Sequence, residues 1–418
     1  MLHRRVFMKS SLIGGVTLLT WNPLSGEPLR KRTRSLHYDI TTDIPTRLYN
    51  GEQCWVHSRA GILPGKGATG NPRTVMTMNT HQVKSSDIFK QMFGLHSDDL
   101  GKTWTEPYPL ENLQPHWIVI DGEKSPEVTS DFWPKYHKSS QKLLGIGHTV
   151  VYTPDWKLRK VRPRATTYSI FEPETNSWSD WNKLVMPQGD KFYNAGAGSV
   201  QRYDLDNGEI ILPIYFSPPG SSSQVTVLRC QFNGSTLKYL RHGTEFGIDD
   251  DTRGLHEPSI TFYDDQYFLT IRNDRTSFVT KGRDGLNFEP MREWKFDDGT
   301  DLGTHNTQQH WVTHSRGLFL VYTRRGANND HVARNRAPLF IAEVDPKKLQ
   351  VKRKTERILI PNKGAALGNF GVCDVSPDET WVTVAENMYS PKVQEYGSDG
   401  SVWVARIQWK KPNKLFKI

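Results

Sequence analysis

Past residue 50 the chain reads as one pattern written about six times: a loop carrying Gly, His or Asn, two runs of β-type residues, then a turn and a strand bearing Trp or Phe. The units run from Cys54 to Trp104, Leu143 to Trp181, Ala197 to Tyr239, Leu255 to Trp294, His310 to Arg357 and Phe370 to Trp409. Units of this length suit four strands each, and a lone small sheet would leave its apolar faces in water. Stacking each sheet on the next around an axis buries them all. The expectation is an all-β chain, a six-bladed β-propeller forming a single domain over residues 36–418, with an N-terminal or C-terminal strand closing the ring. Seven blades is the alternative, because residues 105–142 leave room for an irregular one. Composition agrees, since 13 Trp, 15 Tyr and 18 Phe beside 33 Gly and 25 Pro favour short strands and turns over long helices.

The first thirty residues are an address rather than structure. Arg4-Arg5 and Phe7 stand ahead of a short apolar run, Ser11 to Trp21, too short to span a bilayer as a permanent helix. That order is the pattern of a twin-arginine export signal over residues 1–30, so the mature chain is expected in the periplasm or outside the cell, without a membrane span. Cys54, Cys230 and Cys373 are odd in number, widely separated and form no CxxC pair; each sits in an apolar run and reads as a small core residue. A formal net charge of +9 suits an anionic ligand as well as it suits plain solubility. No nucleic-acid partner is expected, and the oligomeric state is left open.

The sharpest local motif is Ser97-Asp98-Asp99-Leu100-Gly101-Lys102-Thr103-Trp104. Ser and Asp side chains there can accept from the turn's own amides, Gly takes a positive φ, and Trp packs back onto the sheet. A shortened copy, Gly282 to Phe288, closes the fourth unit. The first matches the Asp-box, S-x-D-x-G-x-T-W, position by position, and the second is a shortened form of it. Together with Leu255-His256-Glu257-Pro258-Ser259, Val321-Tyr322-Thr323-Arg324-Arg325 and the segment from Asn329 to Leu339, they make the chain resemble the sialidase-like propellers of environmental bacteria over most of residues 50–410. The resemblance implies that Asp99 and Asp284 are structural. Sialidases open with an Arg-Ile-Pro segment, which supplies the first of three arginines that clamp the substrate carboxylate, followed by an Asp acid. Here the corresponding region reads Cys54-Trp55-Val56-His57-Ser58-Arg59, and no late Tyr–Glu nucleophile pair stands out.

What the ends of the inner strands do offer is histidine and arginine. Hydrolysis by the usual route needs two carboxylates in the pocket, and beside Glu257 there are few. β-Elimination from a uronate needs instead a neutral His or Tyr to take the acidic C5 proton, cations to hold the carboxylate as charge develops, and an acid for the leaving oxygen. Sialidase-like propellers include the ulvan lyases, where a His, a Tyr and an Arg follow in an order similar to His148, Tyr215 and Arg229. They also include rhamnosyl-glucuronate lyases with one early His, for which His57 is the candidate. The expected catalytic residues are His57, His148, Tyr215 and Glu257. Those expected to bind substrate are Arg59, Arg229, His256, Arg272, His310, Arg324, Arg325, His331, Arg334 and Asn369. Of these, His57, His148, Tyr215, Arg229, His256, Glu257, His310 and Arg325 are expected mostly to share one or two axial pockets. The functional expectation is an enzyme that cleaves an acidic, uronate-containing oligo- or polysaccharide by β-elimination. The alternatives are a sialidase-type exo-hydrolase and a non-catalytic glycan-binding propeller. No cofactor is required by this reading; Asp249-Asp250-Asp251 and Asp297-Asp298 resemble structural Ca²⁺ ligands but lack the spacing of a known loop.

Overall fold

The computed structural model describes residues 36–417 apart from 84, 86 and 160–162, so the export signal expected over residues 1–30 lies outside the described residues. Six sheets form the blades of a β-propeller. The first blade is Gln53–Leu63, Arg73–Gln82, Phe89–Ser97 and Tyr108–Pro109, antiparallel throughout. The last is Gly371–Ser376, Glu379–Ala385 and Ser401–Trp409, completed by Tyr38–Arg47 from the other end of the chain. That strand closes the ring, so the two ends of the described chain are tied through one sheet.

The second blade starts earlier than its sequence suggests. Its inner strand is Glu123–His137, and Lys142–Val151, where the repeat was expected to begin, is the strand beside it. Residues 105–142 therefore hold the last strand of the first blade and the opening of the second, not a seventh blade.

Strand alternation explains why the blades stack. In Glu209–Phe216, Ile210, Leu212, Ile214 and Phe216 pack toward the second blade against Leu144, Ile146 and Ile170, whereas Ile211 and Tyr215 face the fourth against Ile260, Leu269 and Ile271. The same division recurs in Gly317–Tyr322, where Leu318, Leu320 and Tyr322 face one neighbour and Phe319 and Val321 the other. Each interface between blades thus has its own apolar cluster. The three cysteines are free and buried within this packing.

The Asp-box is a turn held by its own side chains. Ser97 Oγ accepts from Gly101 N at 2.7 Å, and Asp99 accepts from the backbone N–H of Thr103 at 2.9 Å and from its hydroxyl at 2.7 Å. Those bonds from Thr103 pull the Asp99 carboxyl down to about 2. In the second box Asp284 accepts from the amides of Leu286 and Asn287.

Candidate active site

Three of the inner strands carry a bulge at the same level, with register shifts between Val56 and Arg59, Ser130 and Trp133, and His256 and Ser259. The bulged residues His57, Asp131 and Glu257 take positive φ values of 57°, 53° and 42°, as does Ser199 on the irregular inner segment of the third blade at 55°. A bulge re-aims a side chain, and unfavourable φ in non-glycine residues is a cost that clusters at working sites. Two residues further along each strand lies a second ring: Arg59, Trp133, Gln201, Ser259 and, from the fifth blade, His310.

Asp131 is the hub. His57 Nε2 lies 3.0 Å from its Oδ1 and His148 Nε2 lies 3.2 Å from its Oδ2. The Ser199 hydroxyl donates to the same carboxylate, and Arg59 reaches it from below at 3.4 Å. Burial alone would raise the Asp131 carboxyl, but His57, the His148 hydrogen bond and Arg59 outweigh it and hold it well below the ordinary range. Burial pushes both imidazoles down, with the Asp131 charge opposing, so they are neutral at pH 7. An ionised carboxylate can only accept, which places the single proton of each ring on Nε2 and leaves each Nδ1 as an acceptor. The Ser130 hydroxyl, 3.3 Å away, donates to His57 Nδ1, and the Tyr215 hydroxyl, 3.1 Å away, donates to His148 Nδ1.

Tyr215 thus ends a chain running Tyr215–His148–Asp131. Its phenol is raised by burial, opposed by the Arg164 guanidinium, which sits 4.4 Å over the ring. Small residues make room for this: a Cβ at Gly196 or Gly198 would run into Arg164 or the His148 ring. His256 stands edge-on to Tyr215 at 5.4 Å, and its buried Nε2 has no hydrogen-bond partner. Burial and three neighbouring arginines, Arg272, Arg253 and Arg164, hold His256 well below its ordinary pKa.

The arginines collect on one short loop. Asn306 Oδ1 accepts from Arg272 and from Arg253 Nη2 at 3.1 Å, while its carbonyl accepts from Arg336 Nε at 3.2 Å. Arg272 is paired with Glu257 and Arg253 with Asp274. Arg336 has no carboxylate partner among the described residues, although it is only 4% exposed. Burial pulls its guanidinium down to about 10. Its Nη1 lies 3.4 Å from the Tyr389 hydroxyl.

Of the residues singled out from sequence, His57, His148, Tyr215, His256, Glu257 and Arg272 come together here. Arg59 is wholly buried one layer below, joining Asp131, Ser199, Gln308 and the Phe370 carbonyl from four other blades. His310 shares that layer, bonded to Ser259 Oγ at 2.7 Å between the rings of Trp133 and Phe370. Asn369 is half-buried beside Phe370. Arg229 pairs with Glu209 within the third blade, away from this group. Arg324 pairs with Glu356 at 2.7 Å, His331 stacks on Tyr396, and Arg325 and Arg334 are exposed on their loop. Asp131, Arg164 and Tyr389 were not among the expected site residues, whereas Arg336 lies in the 328–336 loop that the sequence marks as ligand-facing, though it was not singled out there. The aspartate triplet 249–251 and the pair Asp297-Asp298 form turns and ion pairs, and no group of three or more His, Cys, Asp or Glu among the described residues is placed to hold a metal ion.

Solved structures share this architecture at low identity. NanB sialidase from Streptococcus pneumoniae superposes with a TM-score of 0.58 and 12% identity, over 87% of this chain and 70% of the enzyme. A Dyadobacter fermentans protein of unknown function gives 0.57 and 12%, covering 89% and 99% of the two chains. Trypanosoma rangeli sialidase gives 0.54 and 14%, with this chain spanning 57% of its length. No protein-family model and no curated protein matches the sequence. The fold is therefore the six-bladed sialidase-like propeller.

Proposed function

We propose that the protein is an exported enzyme that cleaves glycosidic bonds in an acidic glycan, by β-elimination at a uronate. The observation that carries this reading is the chain Tyr215–His148–Asp131 together with Arg336, a buried cation without a counter-ion among the described residues. Both nitrogens of His148 are engaged, so the atom that meets substrate is the Tyr215 oxygen. It takes the C5 proton while passing its own to His148 Nδ1, and Asp131 stabilises the imidazolium formed. The C5–H electron pair becomes the new double bond and expels the glycosidic oxygen, which takes the proton back from Tyr215 as His148 returns its own. Arg336 and Arg272 hold the uronate carboxylate and the charge that spreads onto it. Neither site carboxylate is free to act as the acid of a two-carboxylate hydrolysis: Glu257 is paired with Arg272 and Asp131 is held ionised.

The test is a panel of uronate polysaccharides followed by ultraviolet absorbance, which rises as unsaturated uronate forms. Reducing ends without that rise would replace elimination with hydrolysis. Hydrolysis is the second reading, favoured by Tyr389 standing against Arg336 in a fold that sialidases share. It calls for free sialic acid from a fluorogenic sialoside and its loss in Tyr389→Phe. Saturable binding without any product would leave a glycan-binding propeller.

A further inference from the structure

The loop Gly303–Asn306 touches four arginines, and their charges are not equally balanced. At Asn306, Arg272 and Arg253 each have a carboxylate, whereas Arg336 has none among the described residues. At the other end, Arg325 donates its backbone N–H to the Gly303 carbonyl at 3.0 Å, and its guanidinium donates to the Arg275 carbonyl at 2.8 Å without an acid partner among the described residues. Its neighbour Arg324 differs, being neutralised by Glu356. His305 sits on the loop between Gly303, which bonds Arg325, and Asn306, which bonds Arg336; burial lowers its protonation most, its contact with the Gly303 carbonyl opposes that, and the two arginines lower it further. Arg334 projects from the same loop as Arg336, exposed, and its side chain has no hydrogen-bond or ion-pair partner among the described residues.

That loop is a built support. The buried Asn329 side chain donates to the carbonyls of Arg324 at 2.9 Å, Asn335 at 3.1 Å and Ala337 at 2.6 Å, tying together the segment that carries Arg325, Arg334 and Arg336. Uncompensated cations thus continue outward from the buried Arg336 to the rim, where water keeps them charged at little cost.

We infer that Arg325 and Arg334, with His305 between them and Arg336, form a second anion-binding subsite, so that the ligand is a glycan bearing acidic groups on two adjacent sugars. This rests on the proposed reading that Arg336 holds the first carboxylate. The second group, a carboxylate or a sulfate ester, would lie one sugar further out, over the rim.

The experiment measures affinity calorimetrically for matched oligosaccharide pairs drawn from uronate, sulfated uronate and sialic acid series. One member of each pair carries an acid on one sugar, the other on two adjacent sugars. In a series that binds, the diacid is expected to bind roughly tenfold tighter than the monoacid. Arg325→Ala/Arg334→Ala should bring it to the monoacid's affinity, with monoacid binding and melting temperature unchanged, and raised salt should erode the same difference. Equal affinities in the unaltered protein, a preference that survives the double variant, or no binding in any series would overturn the subsite. Cleavage is followed separately on the same pairs. Preference without product sinks the enzymatic reading and leaves the subsite; product without preference does the reverse.

Discussion

The propeller axis has two mouths built by the same six inner strands, and they differ in how their polar groups are satisfied. At the mouth away from the bulges the strands line a cavity of about 280 Å³, walled by Trp133, Tyr136, Phe262 and Phe416. Its charges are largely answered: Arg202 bonds Asp204 at 2.9 Å, Lys135 bonds the Arg202 carbonyl at 2.9 Å, and Lys417 pairs with Asp206 at 2.7 Å. At the bulged mouth Arg336 lacks a counter-ion and His256 Nε2 a partner among the described residues, and the non-glycine residues His57, Asp131, Ser199, Glu257 and Asn306 hold positive φ. The mouth that holds this cavity is the one whose charges are mostly paired. Chemistry is to be sought where folding has left polar groups waiting, because an unmet buried charge or ring nitrogen is costly unless a ligand completes it.

The largest effect that would sharpen this contrast is catalytic. Tyr215→Phe removes only the hydroxyl that meets His148, so turnover should fall by roughly 10²- to 10⁴-fold with the melting temperature within about a degree of the unaltered protein. Phe262→Ala in the opposite cavity should leave turnover within about twofold. If the two variants exchange outcomes in a steady-state assay, the assignment of chemistry to the bulged mouth is wrong.

Next comes stability at the layer between the mouths. Arg59 is fully buried and holds the Asp131 carboxylate, so Arg59→Met strands a buried charge and should cost about 3–5 kcal/mol. A urea midpoint shifted by less than a quarter of that would mean that the hub survives on His57, His148 and Ser199 alone.

The sequence carried the propeller because repetition, turn chemistry and strand alternation are local. Ser97 to Trp104 names its turn whatever surrounds it. The second blade was misplaced because Glu123–His137 interleaves Glu, Lys and Asp with two prolines, and so hides its alternation. Asp131 was lost with it. A usable signal existed: His57-x-Arg59, Asp131-x-Trp133, Ser199-x-Gln201, Glu257-x-Ser259 and Gln308-x-His310 repeat one polar spacing at the axis. His148 and Tyr215 were legible as strand-borne polar residues, but their hydrogen bond spans two blades and no spacing encodes it. Arg229 shows the converse, since chain order suggested a site partner and Glu209, across the strand pair, took it instead.

A smaller effect follows from the buried histidines. His57 is lowered by burial to about 3, and His148, His256 and His310 are also lowered. Below about pH 6.5 the unfolded chain protonates these rings while the folded one does not, so the unfolded state binds more protons and stability falls as pH drops. Urea midpoints at pH 7, 6 and 5 should decline in that order, and His310→Gln, remote from Tyr215, should flatten the slope. A level profile would mean that these rings take up protons in the folded state, which would undo the tautomer assignment at Asp131.

The smallest effect tests the satisfied mouth. Asp374 lines the cavity and is itself open to water there; the surrounding walls still push its carboxyl up, while the Thr380 hydroxyl, donating at 2.7 Å, and the nearby Lys135 oppose the rise. A carboxyl raised on folding favours the folded state while protonated, and that advantage is lost as pH climbs through its folded value, so at pH 7 the ionised group is a mild burden. Asp374→Asn keeps the acceptor for Thr380 and removes the charge. Because water reaches the group and screens it, its melting temperature at pH 7 should rise by no more than about 1 °C, with no gain at pH 4 and turnover unchanged. A fall in melting temperature would show that Lys135 depends on this carboxylate, and that the two mouths are less different in their charge balance than their hydrogen bonds suggest.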